Sequence, residues 1–504
     1  MKKILVLILA LSLALVSCNG SKTSTADSAG GTSEAIVQEA TVTLNGITNT
    51  LDVNIANFTN TSTIMYHVMD RLMTFDDEFN FVPAVLTKFE QTDLMTIECE
   101  MSTEYIFHNG DALKAEDVQY SILRLKDIPQ TASLVEDVKD IEIVDETHLV
   151  IHLENPKNNV MRSLVGSVII VNKKLMEEQG DDYWKAPIGS GPFKFSSFIP
   201  GQEVVVEKWI DHPFKVAKLD KITFKNIEDA TSLYIALETG ETDFINSIQF
   251  TDKERALENT AIKIEEHQTT RTAFISMNVT TEPFDNLLVR QAIAHATDKE
   301  SYALLAGDAV PINSMVPEFV KGYHLAENTL TYDLDKAKAL LKEAGYENGF
   351  SIVCSSYSAD TSRIELLQAD LKKIGVDMSI ENLEFGVFLD KVLNADYDIL
   401  FGSWGNTTGN LTDMLNCYSE TSLAESNISF YTNPEVENYY KIATETIDEN
   451  EKLEAVKAIQ EIAAKDVPMI PTTAGVSRFG MKKNLMDVKI SPVGYVDLRE
   501  AYFE

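Results

Sequence analysis

The stretch from 351 to 404 constrains the fold most. Residues 351–354 read as a strand, 364–374 as a helix stopped by Gly375, and 376–380 as a second strand. Tyr397, Asp398, Ile399, Leu400 and Phe401 read as the next strand of the series. Parallel strands need a crossover, and a helix of this length supplies one, so the pattern predicts a βαβ unit and a parallel sheet. Ligands of open α/β sheets gather beyond the carboxyl ends of such strands. The last strand ends at Gly402 and gives way to Ser403, Trp404, Gly405, Asn406 and Thr407. That makes Trp404 a candidate ligand residue, because a loop on a rigid strand end can present a flat aromatic face to a solute. The alternative is that Trp404 only packs its loop against the core.

At 504 residues the chain suits two or three lobes, and at 44% hydrophobic it can bury a sizeable core. A net charge of −35 would repel nucleic acid and anionic membrane surfaces, so neither is expected as a partner. Lys2 and Lys3 precede an apolar run, 4–16, broken only by Ser12. The run is too short to span a bilayer but suits the core of a signal peptide over 1–17. It ends in Leu15-Val16-Ser17-Cys18, which resembles a lipobox, with Cys18 as the lipidated residue. Residues 18–34 are rich in Ser, Thr, Gly and Ala and read as a flexible tether. The expected location is the cell envelope, anchored by lipid and facing outside the cytoplasm, in a periplasm or on a cell surface. Cys99, Cys354 and Cys417 lack metal-site or disulfide spacing and read as small buried hydrophobes.

Along the chain, 40–44 alternates as a strand. The polar stretch 54–63, with Asn57, Thr59 and Asn60, reads as a loop into a helix over 64–72. His108-Asn109-Gly110-Asp111 signals a tight turn before a helix over 115–125. Strands at 141–144 and 148–153 form a hairpin that puts His148 and His152 on one face. With no third ligand in view, that face reads as exposed and polar rather than metal-binding. Gly189-Ser190-Gly191-Pro192 superficially suggests a phosphate loop but lacks the Gly-Lys-Ser/Thr ending, so it reads as a turn into a strand. A second region opens near Ala273 with a strand over 274–279. Asp285 is the expected cap of a helix over 287–296, and Asp333 or Asp335 that of a helix ending at Gly345. Helices over 434–446 and 451–464 precede a last thirty residues read as short strands and turns that return to the first lobe.

The common catalytic and nucleotide-binding motifs are missing, including G-x-S-x-G, H-E-x-x-H, the P-loop and G-x-G-x-x-G. Asp and Glu are abundant enough to hide a hydrolytic carboxylate pair, but at this net charge they read as solvated surface, so a secreted hydrolase is the lesser alternative and no enzymatic activity, cofactor or metal is expected.

Several segments resemble one family in order. They are Phe107-His108-Asn109-Gly110 with Ala115-Glu116-Asp117-Val118, Gly189-Ser190-Gly191-Pro192-Phe193, and Val289-Arg290-Gln291-Ala292-Ile293. Asp335-Lys336-Ala337 through Ala344-Gly345-Tyr346, the run 367–376, and Tyr431-Thr432-Asn433-Pro434-Glu435-Val436 continue the series. Together they resemble the family 5 extracellular solute-binding proteins, which serve ABC importers of peptides and nickel. The resemblance implies an α/β, two-lobed periplasmic-binding-protein-like fold with a hinge and an interlobe cleft. Lobe I would cover 35–273 plus 474–504, with an inserted subdomain at about 62–183, and lobe II 274–473. It also implies a monomer that captures a peptide or other small solute by closing and passes it to permease and ATPase subunits. Trp404, Asn406 and Thr407 would form one cleft wall and Asn57, Thr59 and Asn60 the other. Arg363 lies where some relatives place a cation for a peptide carboxylate, and reads equally as a surface helix residue. Peptide-binding relatives often carry an Asp three residues after the Trp. Here that position is Thr407, so either another acid such as Asp413 substitutes or the ligand lacks a free amino terminus.

Overall fold

The computed structural model describes residues 36–56, 59–214, 216–357, 361–406 and 408–504. The predicted signal peptide, Cys18 and its tether, Asn57 and Thr407 lie outside the described residues.

Strand β1 (Glu39–Leu44) buries Ala40, Val42 and Leu44 and leads to α1 (Thr59–Val68). A small hairpin follows, β2 (Met73–Phe75) and β3 (Phe81–Pro83). A four-stranded antiparallel sheet (Leu86–Asp93, Thr96–Met101, His148–Leu153 and Val138–Ile143) and α2 (Val160–Ser167) complete a subdomain. Its side chains, Leu72 to Ile170 in chain order, form a core of their own. β4 (Lys221–Asn226) and β5 (Phe244–Ile245) flank β1 in parallel. After β6 (Ile262–Met277) come β7 (Phe350–Ser356), α3 (Ser362–Lys372), β8 (Val376–Asn382), α4 (Phe385–Leu393) and β9 (Ile399–Trp404). Helices α5 (Leu411–Leu415) and α6 (Pro434–Glu445) precede β10 (Met469–Lys482).

β7 pairs in parallel with both β8 and β9, so the predicted strand–helix–strand unit is present. β9 pairs antiparallel with β6, and β6 antiparallel with β10. Among the described residues one eleven-stranded mixed sheet results. Its order is β8, β7, β9, β6, β10, β5, β1, β4, Glu203–Lys208 and Phe193–Ile199, with Ala309–Pro311 paired to β10. The ribbon of β6 and β10 serves both halves. Ile275 and Met277 of β6 enter the core built with Val289, Ile293 and Leu371, whereas Phe479 and Met481 of β10 enter the core around β1. The ladder slips between Gln268 and Thr272 and again between Ala273 and Phe274, so the ribbon is least regular where it passes from one core to the other.

The structure corrects several sequence expectations. Thr59 and Asn60 stand in the first turn of α1 rather than on the loop before it, because the polar run Thr61–Thr63 that follows them is buried by tertiary packing and carries the helix back to Thr59. β6 is sixteen residues long and begins at Ile262, well before the strand expected at 274. Its first ten residues, IKIEEHQTTR, are mostly polar and half-exposed, and only Ile262 and Ile264 pack against a core, too short an apolar stripe to read as a strand. Asn286, not Asp285, caps Leu287–Ala296 by accepting from the Leu288 amide; of the two candidates offered for Leu334–Glu343, Asp333 is the cap, as expected. The chain end opens with the fourteen-residue strand β10 before its short strands.

Gly189 and Gly191 form the turn expected ahead of Phe193–Ile199, and close approach is what requires them. A Cβ on Gly189 would lie 1.8 Å from the Val68 carbonyl oxygen, and one on Gly191 would lie 2.7 Å from that of His67. His108 locks the same turn, accepting from the Gly189 amide through Nδ1 (3.2 Å) and meeting the Gly191 carbonyl at Nε2 (2.9 Å). Burial pushes its pKa down to about 4, which keeps the ring neutral, as that bonding pattern requires.

Candidate functional site

Because β7, β8 and β9 are mutually parallel, their carboxyl ends share one edge of the sheet. Tyr357, Phe385 and Trp404 follow from that register. Trp404 ends β9 opposite Thr272 of β6, half-buried, with its ring 4.1 Å from that of Phe274. Gly402 accommodates the same ring, since a Cβ there would lie 2.9 Å from Phe274 Cζ. The glycine therefore admits a neighbouring side chain, not a solute. Two aromatics not anticipated from sequence extend the edge. Tyr357 and Phe385 are each 54% exposed, 5.1 Å apart between ring centroids, and Phe388 lies 4.8 Å from Tyr357. These three rings in contact form an apolar patch, and such a patch, unlike a lone exposed ring, marks a candidate contact surface. Their signal in the sequence was an aromatic placed just past each strand end.

Of the predicted ligand residues, Asn406 shapes its own loop. Its carbonyl accepts from the Thr270 hydroxyl, and its Oδ1 accepts from the amides of Thr408 (3.1 Å) and Asn410 (3.3 Å). Asn410, fully buried, then caps α5. Asp413, the candidate substitute acid, is exposed on α5. Arg363, in the first turn of α3, lies over the ring of Phe401 at 5.5 Å, and Phe401 stacks on Tyr302 at 5.9 Å. In the other half, Thr59 is exposed, and the position of a Cβ on Gly494 would be 3.9 Å from its methyl. Asn60 ties two strand ends together: its Nδ2 donates to the carbonyls of Asn45 (2.7 Å) and Gly46 (2.8 Å), and its Oδ1 accepts from Asn246 (3.0 Å). Trp404 and Arg363 thus share an edge, and the side chain of Asn60 is committed within its own half.

A cavity of about 570 Å³ lies elsewhere, against the C-terminal end of α1. Tyr66, Asp70, Arg71, Tyr105, His212, Asp497 and Arg499 line it, and none of the predicted ligand residues does. Arg499 donates through Nε to both carboxylate oxygens of Asp497 (2.9 and 3.0 Å) and through Nη2 at 2.6 Å. Burial alone would raise the Asp497 carboxyl, but Arg499 outweighs it and holds the group well below the usual carboxylate range. Burial raises the pKa of Asp70, whose Oδ2 has no hydrogen-bond partner. The cavity belongs to one half of the sheet and joins residues over 400 positions apart, which no local pattern could have revealed.

Among the described residues no cluster of three or more His, Cys, Asp or Glu could hold a metal, and no helix is long and apolar enough to cross a membrane. His148 is bonded to Asp145 and His152 lies near Glu142, on the exposed hairpin face.

Residues 80–423 match the model of the middle region of the bacterial extracellular solute-binding proteins, family 5. The chain belongs to that family. Its members are binding proteins, not enzymes, found outside the cytoplasm, and they deliver solutes to the permease and ATPase subunits of ABC importers. The glutathione-binding protein GsiB of Pectobacterium atrosepticum is 26% identical over 452 residues, 86% of this chain and 88% of that protein. HbpA2 from Haemophilus parasuis superposes with a TM-score of 0.87 at 23% identity, over 92% of this chain and all of that one. The DppA protein of Helicobacter pylori in complex with the peptide STSA superposes at 0.71 and 23% identity, over 92% and 98%. Both carry the two-lobed periplasmic-binding fold.

Proposed function

We propose that this family 5 protein is a lipid-anchored peptide-binding subunit, tethered through Cys18, that closes around a short peptide at the sheet edge carrying Trp404. The observation that carries the ligand class is the make-up of that edge. Trp404, Tyr357 and Phe385 offer apolar faces, and Arg363 stands on the adjoining helix as a cation. A short peptide presents the matching chemistry, apolar side chains and a terminal carboxylate. The glutathione-binding relatives and the peptide-bound neighbour support the same class.

Native mass spectrometry of the purified protein tests this directly: the expected result is a co-purified peptide mass. In a thermal-shift screen, a true ligand at a hundredfold excess over its Kd should stabilise the fold by about 2.7 kcal/mol. Turnover of the ligand would overturn the reading. Trp404→Ala should weaken binding of the identified ligand at least tenfold, about 1.4 kcal/mol. Unchanged affinity would remove Trp404 from the site. Cys18→Ala should move the protein from the membrane to the soluble fraction of fractionated cells, since an acyl anchor is what would hold it there.

Thr407 favours a second reading, a solute without a free amino terminus. It stands where peptide-binding relatives often carry an acid, and a buried ammonium group without a carboxylate is costly. Metal chelates, oligosaccharides and N-blocked peptides belong in the same screen. Stabilisation by these and not by free peptides would select it.

A further inference from the structure

The tip of the β2–β3 hairpin carries Phe79 at a φ of 61° and only 2% exposed. Bulky residues rarely adopt that backbone conformation, so the surroundings must hold it there. Asp76 sets the turn, its Oδ1 accepting from the amides of Glu78 (3.0 Å) and Asn80 (2.8 Å). The Phe79 ring meets Phe75 of its own hairpin edge-on at 5.9 Å, but its main packing lies outside its own subdomain. It belongs to the cluster of Val316, Leu411 and Leu415 and stacks on Phe319 at 6.3 Å. It also lies against Gly409, where a Cβ would come within 2.4 Å of Phe79 Cγ.

Arg162 on α2 completes the contact. Its Nη1 donates to the carbonyl of Phe79 at 3.0 Å and to that of Thr408 at 3.3 Å. The guanidinium is held near the rings of Phe75 (5.7 Å) and Phe81 (5.1 Å). Asn158, just before α2, donates to the carbonyls of Ala443 (2.9 Å) and Thr446 (2.5 Å) at the end of α6. The subdomain therefore grips the same loop that carries Trp404, from the opposite half of the molecule.

We propose that Phe79 and Arg162 are positioning residues for the ligand loop 404–410, so that solute affinity is set in part by side chains that never touch the solute. This rests on the reading that the loop meets the solute. Apart from these contacts, the loop is anchored at its ends by the pairing of Trp404 with Thr272 and the cap that Asn410 gives α5, and between them by the bonds of Asn406, Thr408 and Thr270. The clamp adds a buried ring on one side and a planar two-carbonyl donor on the other, which restricts the loop before any solute arrives.

Hydrogen exchange of the solute-free mature protein, read by mass spectrometry, tests the clamp. In Phe79→Ala and in Arg162→Gln, the amides of Thr408 and Asn410 should exchange at least tenfold faster than in wild type, with β7 unchanged. Gly409→Ala, which pushes on the same ring from the other side, should do the same. Unchanged exchange at Thr408 and Asn410 in a folded Arg162→Gln protein would overturn the proposal. So would acceleration of equal size in β7, which would mean general destabilisation. No solute enters this measurement, so its failure is distinct from failure of the peptide-binding reading.

Discussion

Gly189→Ala is expected to destabilise the protein by about 3 kcal/mol or more, seen as a lower urea midpoint at unchanged slope. The φ of Gly189 is not in the positive range, so backbone strain is not the cause. The cause is contact: the added Cβ would lie 1.8 Å from the Val68 carbonyl oxygen and 2.6 Å from its carbon. Both partners are main chain, and neither can swing aside as a side-chain tip can. Relief requires separating the turn from the end of α1, which would also break the bond from the Gly191 amide to Val68 (2.9 Å) and disturb the lock on His108. Gly110→Ala is the matched control. Its φ is +90° and nothing lies within 4 Å of the new Cβ, so it should cost only about 1 kcal/mol, from backbone strain. If the two variants were equally stable, the close-approach account would be wrong.

Acidification should weaken the fold through His67. The ring is 1% exposed; Nδ1 meets the Thr63 carbonyl at 2.8 Å, and Nε2 accepts from the Leu498 amide at 2.9 Å. It thereby pins the chain end to α1 as a neutral imidazole. Burial lowers its pKa to about 4, from 6.5 in the open chain. Between those values the unfolded chain binds a proton that the folded chain refuses. Stability is therefore fully present above pH 6.5 and falls as the pH drops toward 4, by about 3 kcal/mol in all. His108 shifts in the same direction for the same reason. Asp70, raised by burial, works the other way. The specific check is the slope: His67→Phe should bind about one proton fewer on unfolding between pH 6.5 and 4. An NMR titration showing His67 protonated at pH 6 would sink the argument.

Much of the architecture was legible because it rests on local signals. The strand–helix–strand unit at 350–382 announces itself through periodicity and Gly375, and Asn433 before Pro434 marks the start of α6. Trp404 was legible as an aromatic at a strand end, and the register of β7 and β9 puts it on the shared edge. Asn60 shows the limit. Its polarity and placement before a helix suit a pocket loop, but its amide is spent joining β1 to Asn246. The first half of β6 was invisible because a half-exposed ribbon has too short an apolar stripe to read.

By itself, then, the sequence determined the family, the βαβ core of the second half and the ends of most of the helices it predicted, while short helices such as α4 and α5 went unmarked. Each depends on side chains within a turn or two of one another, where spacing converts directly into a shared face. Only the tertiary structure decided which distant groups meet. The β6–β9 pairing sets Phe274 against Gly402, and packing outside the large sheet brings Asp497 and Arg499 to the end of α1 and Phe79 across to Gly409. Each meeting joins residues far apart in the chain, and no local spacing encodes that.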